Sequence, residues 1–252
     1  MTASAYVLTQ MTWLEVRDAL KMARLAIIPT GSCEQHGPNM TLETDAAIAY
    51  ALAERLTEQL HPKALLAPVV PWGVSPHHMH FQGSITLRPE TFNAIVWDVV
   101  SSLKQHGLNH FFLVNGHGGN VAPLELISAK LRDELGVHVA GMMYMRLAAD
   151  VIKDGAQTSL YGHACEVEAS VGLFLKPETV REERVEGEVL PYAHPHTDLY
   201  AAGRLEFPFR FEELTRNGAL GDARLATREF GEQIVTTTLT RAVEFLESFI
   251  TE

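Results

Sequence analysis

The stretch Leu25-Ala26-Ile27-Ile28-Pro29-Thr30-Gly31-Ser32-Cys33-Glu34-Gln35-His36-Gly37-Pro38 decides how this chain is read. Its first four residues are an apolar run closed by Pro29-Thr30-Gly31, which predicts a buried strand emptying into a loop. Thr44 or Asp45 then caps a helix whose apolar members Ala47, Ile48, Ala51, Leu52, Leu56 and Leu60 recur at helical spacing. Strand, loop and helix make one unit.

Outward from that unit the pattern repeats. Ala64 to Val70 reads as a second strand, followed by a loop rich in Gly, Pro and His, and Thr91 to Gln105 as an amphipathic helix. His110 to Val114 is another apolar strand. It runs into Asn115-Gly116-His117-Gly118-Gly119-Asn120 and then a helical pattern from Val121 to Leu135. Val137 to Met145 is a further strand, Ala164 to Phe174 begins a helix, and a long helix from about Ala226 to Phe249 closes the chain. Residues 176–222 carry Pro, Gly, His and charge with little period, and read as an excursion over the surface that, with the loop from Pro71 to Gly83, is expected to shape the pocket. Strands alternating with helices predict an α/β fold in a single domain, its mostly parallel sheet covered on both faces. Such folds place their chemistry in the loops after the carboxyl ends of the strands.

Composition narrows the function. The 252 residues are 46% apolar and 20% charged, enough to bury a large core. Twenty Lys+Arg against thirty-one Asp+Glu leave a net charge of −11, which argues against a nucleic-acid partner. The start lacks a positively charged, apolar signal segment, so a cytoplasmic location is expected. Pro68 and Pro71 interrupt the longest apolar stretch, Ala64 to Trp72, so no membrane span is expected. Cys33 and Cys165 are too few for a disulfide framework.

Three loops hold the chemistry. Glu34 and His36 stand two positions apart, which in extended backbone sends both side chains to one side. Asp45 follows nine residues later, as cap or as ligand. His117 is boxed by Gly116, Gly118 and Gly119, a permissive turn that suits close approach by a ligand. Tyr161 to Glu168 add His163, Glu166 and Glu168 at a helix start. Together these groups supply donors for two divalent ions, with zinc, manganese or iron suited to a mixed carboxylate and imidazole set. Such a pair would acidify a bridging water into a hydroxide nucleophile and polarise a carbonyl.

A structural zinc site of Cys33, His36, His163 and Cys165 would need Cys33 and Glu34, neighbours in extended backbone, to point the same way. His77, His78 and His80 read as a pocket wall, and His194 and His196 as a solvated loop. No Gly-x-Ser-x-Gly elbow, dinucleotide fingerprint or phosphate loop is complete.

The segment Pro29 to Pro38 with Thr44-Asp45 resembles the first motif of the creatininase (creatinine amidohydrolase) family. Asn115 to Asn120, Gly162 to Ser170, Phe81-Gln82-Gly83-Ser84-Ile85, and Gly221-Asp222 with Ala226-Thr227 are similar to further stretches of it. The resemblance implies a three-layer α/β/α fold, a two-metal centre, hydrolysis of amide-type C–N bonds and a homo-oligomer, often a hexamer. It makes Glu34 and His117 ligands of one ion, His36 a ligand of the other, and Asp45 the bridge. Creatininase itself has a glutamate where this chain has Gly119, so the fifth ligand comes from elsewhere. Glu166 is the expected one, with Glu168 as fallback and partner in catalysis. His163 is expected to carry the proton to the leaving nitrogen, and His78, Asn115 and Gly118 to contact substrate. Gln82 stands where the family usually has proline. None of Trp13, Trp72 and Trp97 lies near His163 in sequence, which points away from creatinine and towards a small cyclic amide, a formamide or a peptide. A metal-retaining binding or assembly protein on the same scaffold is the non-enzymatic alternative, and predicts bound metal without turnover.

Overall fold

β2 (Leu25–Thr30) is buried along its whole length, which a strand achieves only when both faces of its sheet are covered. In the computed structural model, which describes residues 6–158, 160–198 and 205–251, β2 is the middle of a five-stranded sheet. The others are β1 (Tyr6–Val7), β3 (Ala64–Leu66), β4 (His110–Asn115) and β5 (His138–Met143). Their order is β1-β3-β2-β4-β5, with every adjacent pair parallel. The helices are α1 (Trp13–Ala19), α2 (Thr44–Gln59), α3 (Pro89–Gln105), α4 (Val121–Leu135), α5 (Tyr144–Leu147), α6 (Ala149–Gly155), α7 (Glu166–Leu175), α8 (Phe211–Leu214) and α9 (Arg228–Phe249).

Side-chain alternation along the strands splits the core in two. Leu25, Ile27, Leu66, Phe112 and Val114 pack with Ile48, Leu52 and Leu56 of α2, Val167 and Val171 of α7, and Ile234 and Leu246 of α9. Ala26, Ile28, Leu65, Phe111 and Leu113 pack instead with Phe92, Val96 and Val100 of α3 and Leu124, Ile127 and Leu131 of α4. The result is a three-layer α/β/α sandwich.

Pro29 is out of place in a central strand, because it has no N–H for the ladder. Its carbonyl accepts from Val70 N, while that of Thr30 accepts from Gly116 N, so the missing donor faces the β3 side. β3 has already ended at Leu66, which is why the proline is tolerated. The strand expected to reach Val70 therefore stops four residues early, with Val70 touching Thr30 only as an isolated bridge. The last expected strand stops at Met143, where α5 begins. The expected cap also moves: Glu43 precedes α2, so neither Thr44 nor Asp45 caps it. Thr227 caps α9 by accepting from Phe230 N at 3.2 Å.

The chain leaves β2 for β3 on one side and then crosses to β4 on the other. The crevice at the carboxyl ends of β2 and β4 is thus the point where the strand order reverses, a recurrent ligand position in open α/β sheets. Thr30, Asn115 and Met143 are aligned there by register.

Candidate metal centre

Two glycines let the first turn of α2 settle onto the strand ends. A side chain at Gly31 would overlap the backbone of Ala46, and one at Gly116 the carbonyl of Asp45. Asp45, in that first turn, is thereby held over the crevice and is 3% exposed. Its Oδ1 lies 3.2 Å from His36 Nε2 and its Oδ2 3.3 Å from His117 Nδ1. Glu34 Oε2 is 3.0 Å from His117 Nδ1, and Glu168 Oε2 is 4.0 Å from His36 Nε2. Glu34, Asp45 and His117 form one compact donor set, His36, His163 and Glu168 a second, and Glu34, His78 and His163 a third; all seven residues are buried.

Backbone carbonyls orient three of the rings. Glu34 O accepts from His36 Nδ1 at 3.1 Å, Val74 O from His117 Nε2 at 3.2 Å, and Gln35 O from His163 Nε2 at 2.6 Å. A carbonyl can only accept, so each bonded nitrogen carries the proton and the other nitrogen turns its lone pair to the carboxylates. Lone pair facing carboxylate at 3.0 to 3.3 Å needs a proton or a cation between the two. Asp45 Oδ2 is also buried with no hydrogen-bond partner. Among the described residues no lysine or arginine pairs with Glu34, Asp45 or Glu168. A backbone-anchored imidazole is the usual second contact of a metal-ligating histidine, so the residues fit divalent cations.

Without cations, protons take their place. Burial disfavours a charged His36 ring, yet Asp45 and then Glu168 and Glu34 outweigh it and bring the pKa up to about 10. His117 is likewise held well above its ordinary value: burial opposes, but Glu34 and Asp45 prevail. Burial would raise Asp45, but His36 and His117 hold its carboxyl well below the usual range. Burial raises Glu168 to about 7, against the pull of His36. His78 and His163 are pushed down, first by burial and then by neighbouring rings.

Glu166 is not brought to this cluster, which corrects the sequence expectation. It is the first residue of α7 and its carboxylate accepts from Gln157 N at 2.9 Å and Thr158 N at 2.8 Å. Two residues on, about 200° around the helix, Glu168 turns back to the centre and accepts from Ala164 N at 2.5 Å. A side chain at Gly119 would collide with Val74 O and the His117 ring, so that turn itself carries no carboxylate to the cluster. Asn115 is corrected as well. Its amide closes the His117 turn, donating to His117 O at 2.7 Å and accepting from His117 N at 3.1 Å, and it does not line the cavity over the donor sets.

His78, Gly118 and His163 do line that cavity. His78 is 1% exposed, with Nε2 3.3 Å from Glu34 Oε1. Gly118 faces open space, and His163 Nδ1 stands 3.9 Å from both Glu34 Oε1 and Glu168 Oε2. Neither cysteine joins a donor set among the described residues; Cys165 is fully buried, and burial raises its thiol to about 11. Ser75, which completes no nucleophile elbow in the sequence, has a supporting place instead. Its hydroxyl donates to Glu34 Oε2 at 2.7 Å, accepts from His117 Nε2 at 3.1 Å, and touches Ser32 Oγ. The surface excursion expected to shape the pocket does reach it, for Pro208, Phe209, Arg210, Phe211 and Glu213 roof a cavity of about 730 Å³. The Phe211 ring lies 4.0 Å from that of His78, stacked, and 4.7 Å from that of His163. The aromatic run Phe207 to Phe211 was a visible signal for it, masked by flanking residues without period.

The creatininase family model, described as creatinine amidohydrolase, matches residues 9–246. The chain belongs to the creatininase family. Members are metal-dependent hydrolases acting on C–N bonds, and this chain is an enzyme of that kind. The mycofactocin precursor peptide peptidase of Mycolicibacterium smegmatis is 30% identical over 223 residues, covering 86% of this chain and 82% of its own. The creatinine amidohydrolase of Pseudomonas putida is 27% identical over 256 residues, 93% of each chain. Two solved creatininase structures, a manganese form and a Zn-Zn form of a variant, each match with a TM-score of 0.78 at 25% identity. They cover 97% and 98% of this creatininase-family chain, and 98% of their own. Among the described residues no helix is long and apolar enough to cross a membrane.

Proposed function

We propose that this chain is a two-ion amidohydrolase that cleaves the C–N bond of a small cyclic amide or formamide. One observation carries the reading: three imidazole lone pairs, each fixed by a backbone carbonyl, point at three buried carboxylates that no lysine or arginine is seen to neutralise. Glu34, Asp45 and His117 would hold one ion, and His36, Asp45 and Glu168 the other, with zinc or manganese the expected metals and iron a third choice. Bound there, divalent ions supply an acidified water and polarisation of the scissile carbonyl.

The chain's own residues do the rest. Asp45 offers one oxygen to each set, so it fixes their separation. Ser75 and His78 hold the two oxygens of Glu34 from opposite sides. His163, neutral and with Nδ1 turned inward, takes a proton at that atom and returns it to the departing nitrogen. Phe211 covers His78 and His163 and limits the entry of bulk water. A homo-oligomer in the cytoplasm, hexameric by family likeness, completes the proposal.

A second reading has its own support. The 730 Å³ cavity falls in the range that takes drug-sized ligands, and a peptidase is among the relatives, so a short peptide is the alternative substrate. The deciding experiment loads the protein with zinc or manganese, counts ions per chain, and follows ammonia, amine and formate release. The panel comprises cyclic amides, formamides and short peptides. Two ions and turnover of an amide are expected. Bound metal with no turnover across the panel would favour the binding-protein alternative.

A further inference from the structure

Gln35 lies between two functional side chains, Glu34 and His36, yet its own side chain points elsewhere. It is 5% exposed and wedged beside Gly37 and Gly218, whose φ angles are +55° and +86°. A side chain on Gly218 would overlap the Gln35 amide, so the glycine leaves room for it. Gly37 N donates to Gln35 Oε1 at 2.7 Å, which fixes which end of the amide is oxygen. The other end, Nε2, donates to Gly218 O at 3.1 Å and faces His78 Nδ1 at 2.9 Å.

We infer that Gln35 is a positioning residue that sets the protons of His78 and His163 in opposite senses. Its amide N–H can only donate, so His78 Nδ1 keeps its lone pair and the His78 proton sits on Nε2, directed at Glu34 Oε1. Its backbone carbonyl can only accept, so the His163 proton sits on Nε2 and the lone pair on Nδ1 faces the centre. The two rings are 4.6 Å apart and flank the same carboxylate oxygen, Glu34 Oε1. One presents a donor to it, the other an acceptor beside it. His78 thereby steadies Glu34 and His163 stays free to take up a proton. Exchanging either tautomer would set two donors or two acceptors side by side. The catalytic meaning of this arrangement rests on the hydrolase reading above; the arrangement itself does not.

The test reads tautomers without turnover. Long-range proton–nitrogen NMR on zinc-loaded protein labelled with 15N-histidine should show His78 and His163 both protonated on Nε2. In Gln35→Leu the amide is lost but the backbone carbonyl remains, so His163 should be unchanged while His78 becomes a mixture of tautomers. Where a substrate has been found, kcat should fall about tenfold or more, with metal content and KM little altered. Gln35→Glu should move the His78 proton to Nδ1, and serves if the leucine variant does not fold. A His78 proton on Nδ1 in the unaltered protein overturns the inference. So does a leucine variant that lowers Tm while both tautomers and kcat stay as they were. Expected tautomers in a protein that hydrolyses nothing support the lock and count against the hydrolase reading instead.

Discussion

Glu34, His36 and His117, on the loops that follow the central strands, and Asp45, in the first turn of α2, are at most 3% exposed, whereas the segment from Leu205 to Arg210 that faces them is mostly exposed, closing on the site only at Phe211. The floor is held by ladder register and by backbone carbonyls, that of Glu34 orienting His36 within one loop and those of Val74 and Gln35 orienting His117 and His163 from other loops. The roof is held by ring contacts and a four-residue helix. Chemistry should therefore be lost abruptly when the floor is altered, and selectivity should change by degrees when the roof is.

The largest effect is expected at Asp45, whose two oxygens face His36 and His117, one histidine from each of the first two donor sets. Asp45→Ala should lower bound metal well below two ions per chain and reduce kcat/KM by roughly 10³-fold or more. Full metal content by elemental analysis in that variant would break the distinction. Next come the two glutamates of α7. Glu168→Gln should lose about one ion and roughly 10²-fold in activity. Glu166→Gln should keep both ions and lose roughly 1–3 kcal/mol of stability in denaturant titration, because a buried acceptor of two backbone N–H groups is weakened. Equal metal loss in the two would contradict the helix phase described above.

A third expectation concerns protons. In the metal-free protein His36 is raised to about 10 and His117 well above its ordinary value, and both hold protons at neutral pH that bound metal must displace. Zinc binding should release protons at pH 7, and apparent affinity should climb with pH. Calorimetry in buffers of different ionisation enthalpy measures this, and zero release would refute it. The sign for the metal-free fold follows from the same shift. A histidine pKa raised in the folded state adds stability that is complete below about 6.5 and lost as pH rises through about 10. Metal-free protein should therefore melt lower at pH 10 than at pH 6.

At the roof, Phe211→Ala should leave metal content intact and change the ratio of kcat/KM between aromatic and aliphatic amides by about tenfold, the range of a few missing methylenes. A loss of metal there would merge roof and floor. The smallest effect belongs to Cys33→Ser with Cys165→Ser, which should retain both ions, since neither thiol joins a donor set.

Much of this was legible beforehand because it is local. The alternation of strands and helices, and the spacing that puts Glu34 and His36 on one side, depend on neighbours in the chain. Asp45 was ambiguous in sequence, since an acidic residue at a helix start serves as cap or ligand equally well. Glu43 takes the cap position, and the contact of the Asp45 backbone with Gly31 and Gly116, which joins two loops far apart in sequence, turns its carboxylate to His36 and His117. Glu166 and Glu168 could be told to face apart by helical phase, but not which of them faces inward. Ser75 and Phe211 gave no periodic signal, because both lie in or beside irregular segments whose positions depend on the packing of the whole.

The sequence by itself determined the layered α/β plan and the identity of the groups that carry charge, for hydrophobic period and residue chemistry are properties of short segments. Only the tertiary structure decided that Glu168 rather than Glu166 meets His36, that Asn115 braces a turn, and that a distant segment roofs the site. Those outcomes turn on which surfaces meet once the sheet closes against its helices, and no short stretch of chain contains that information.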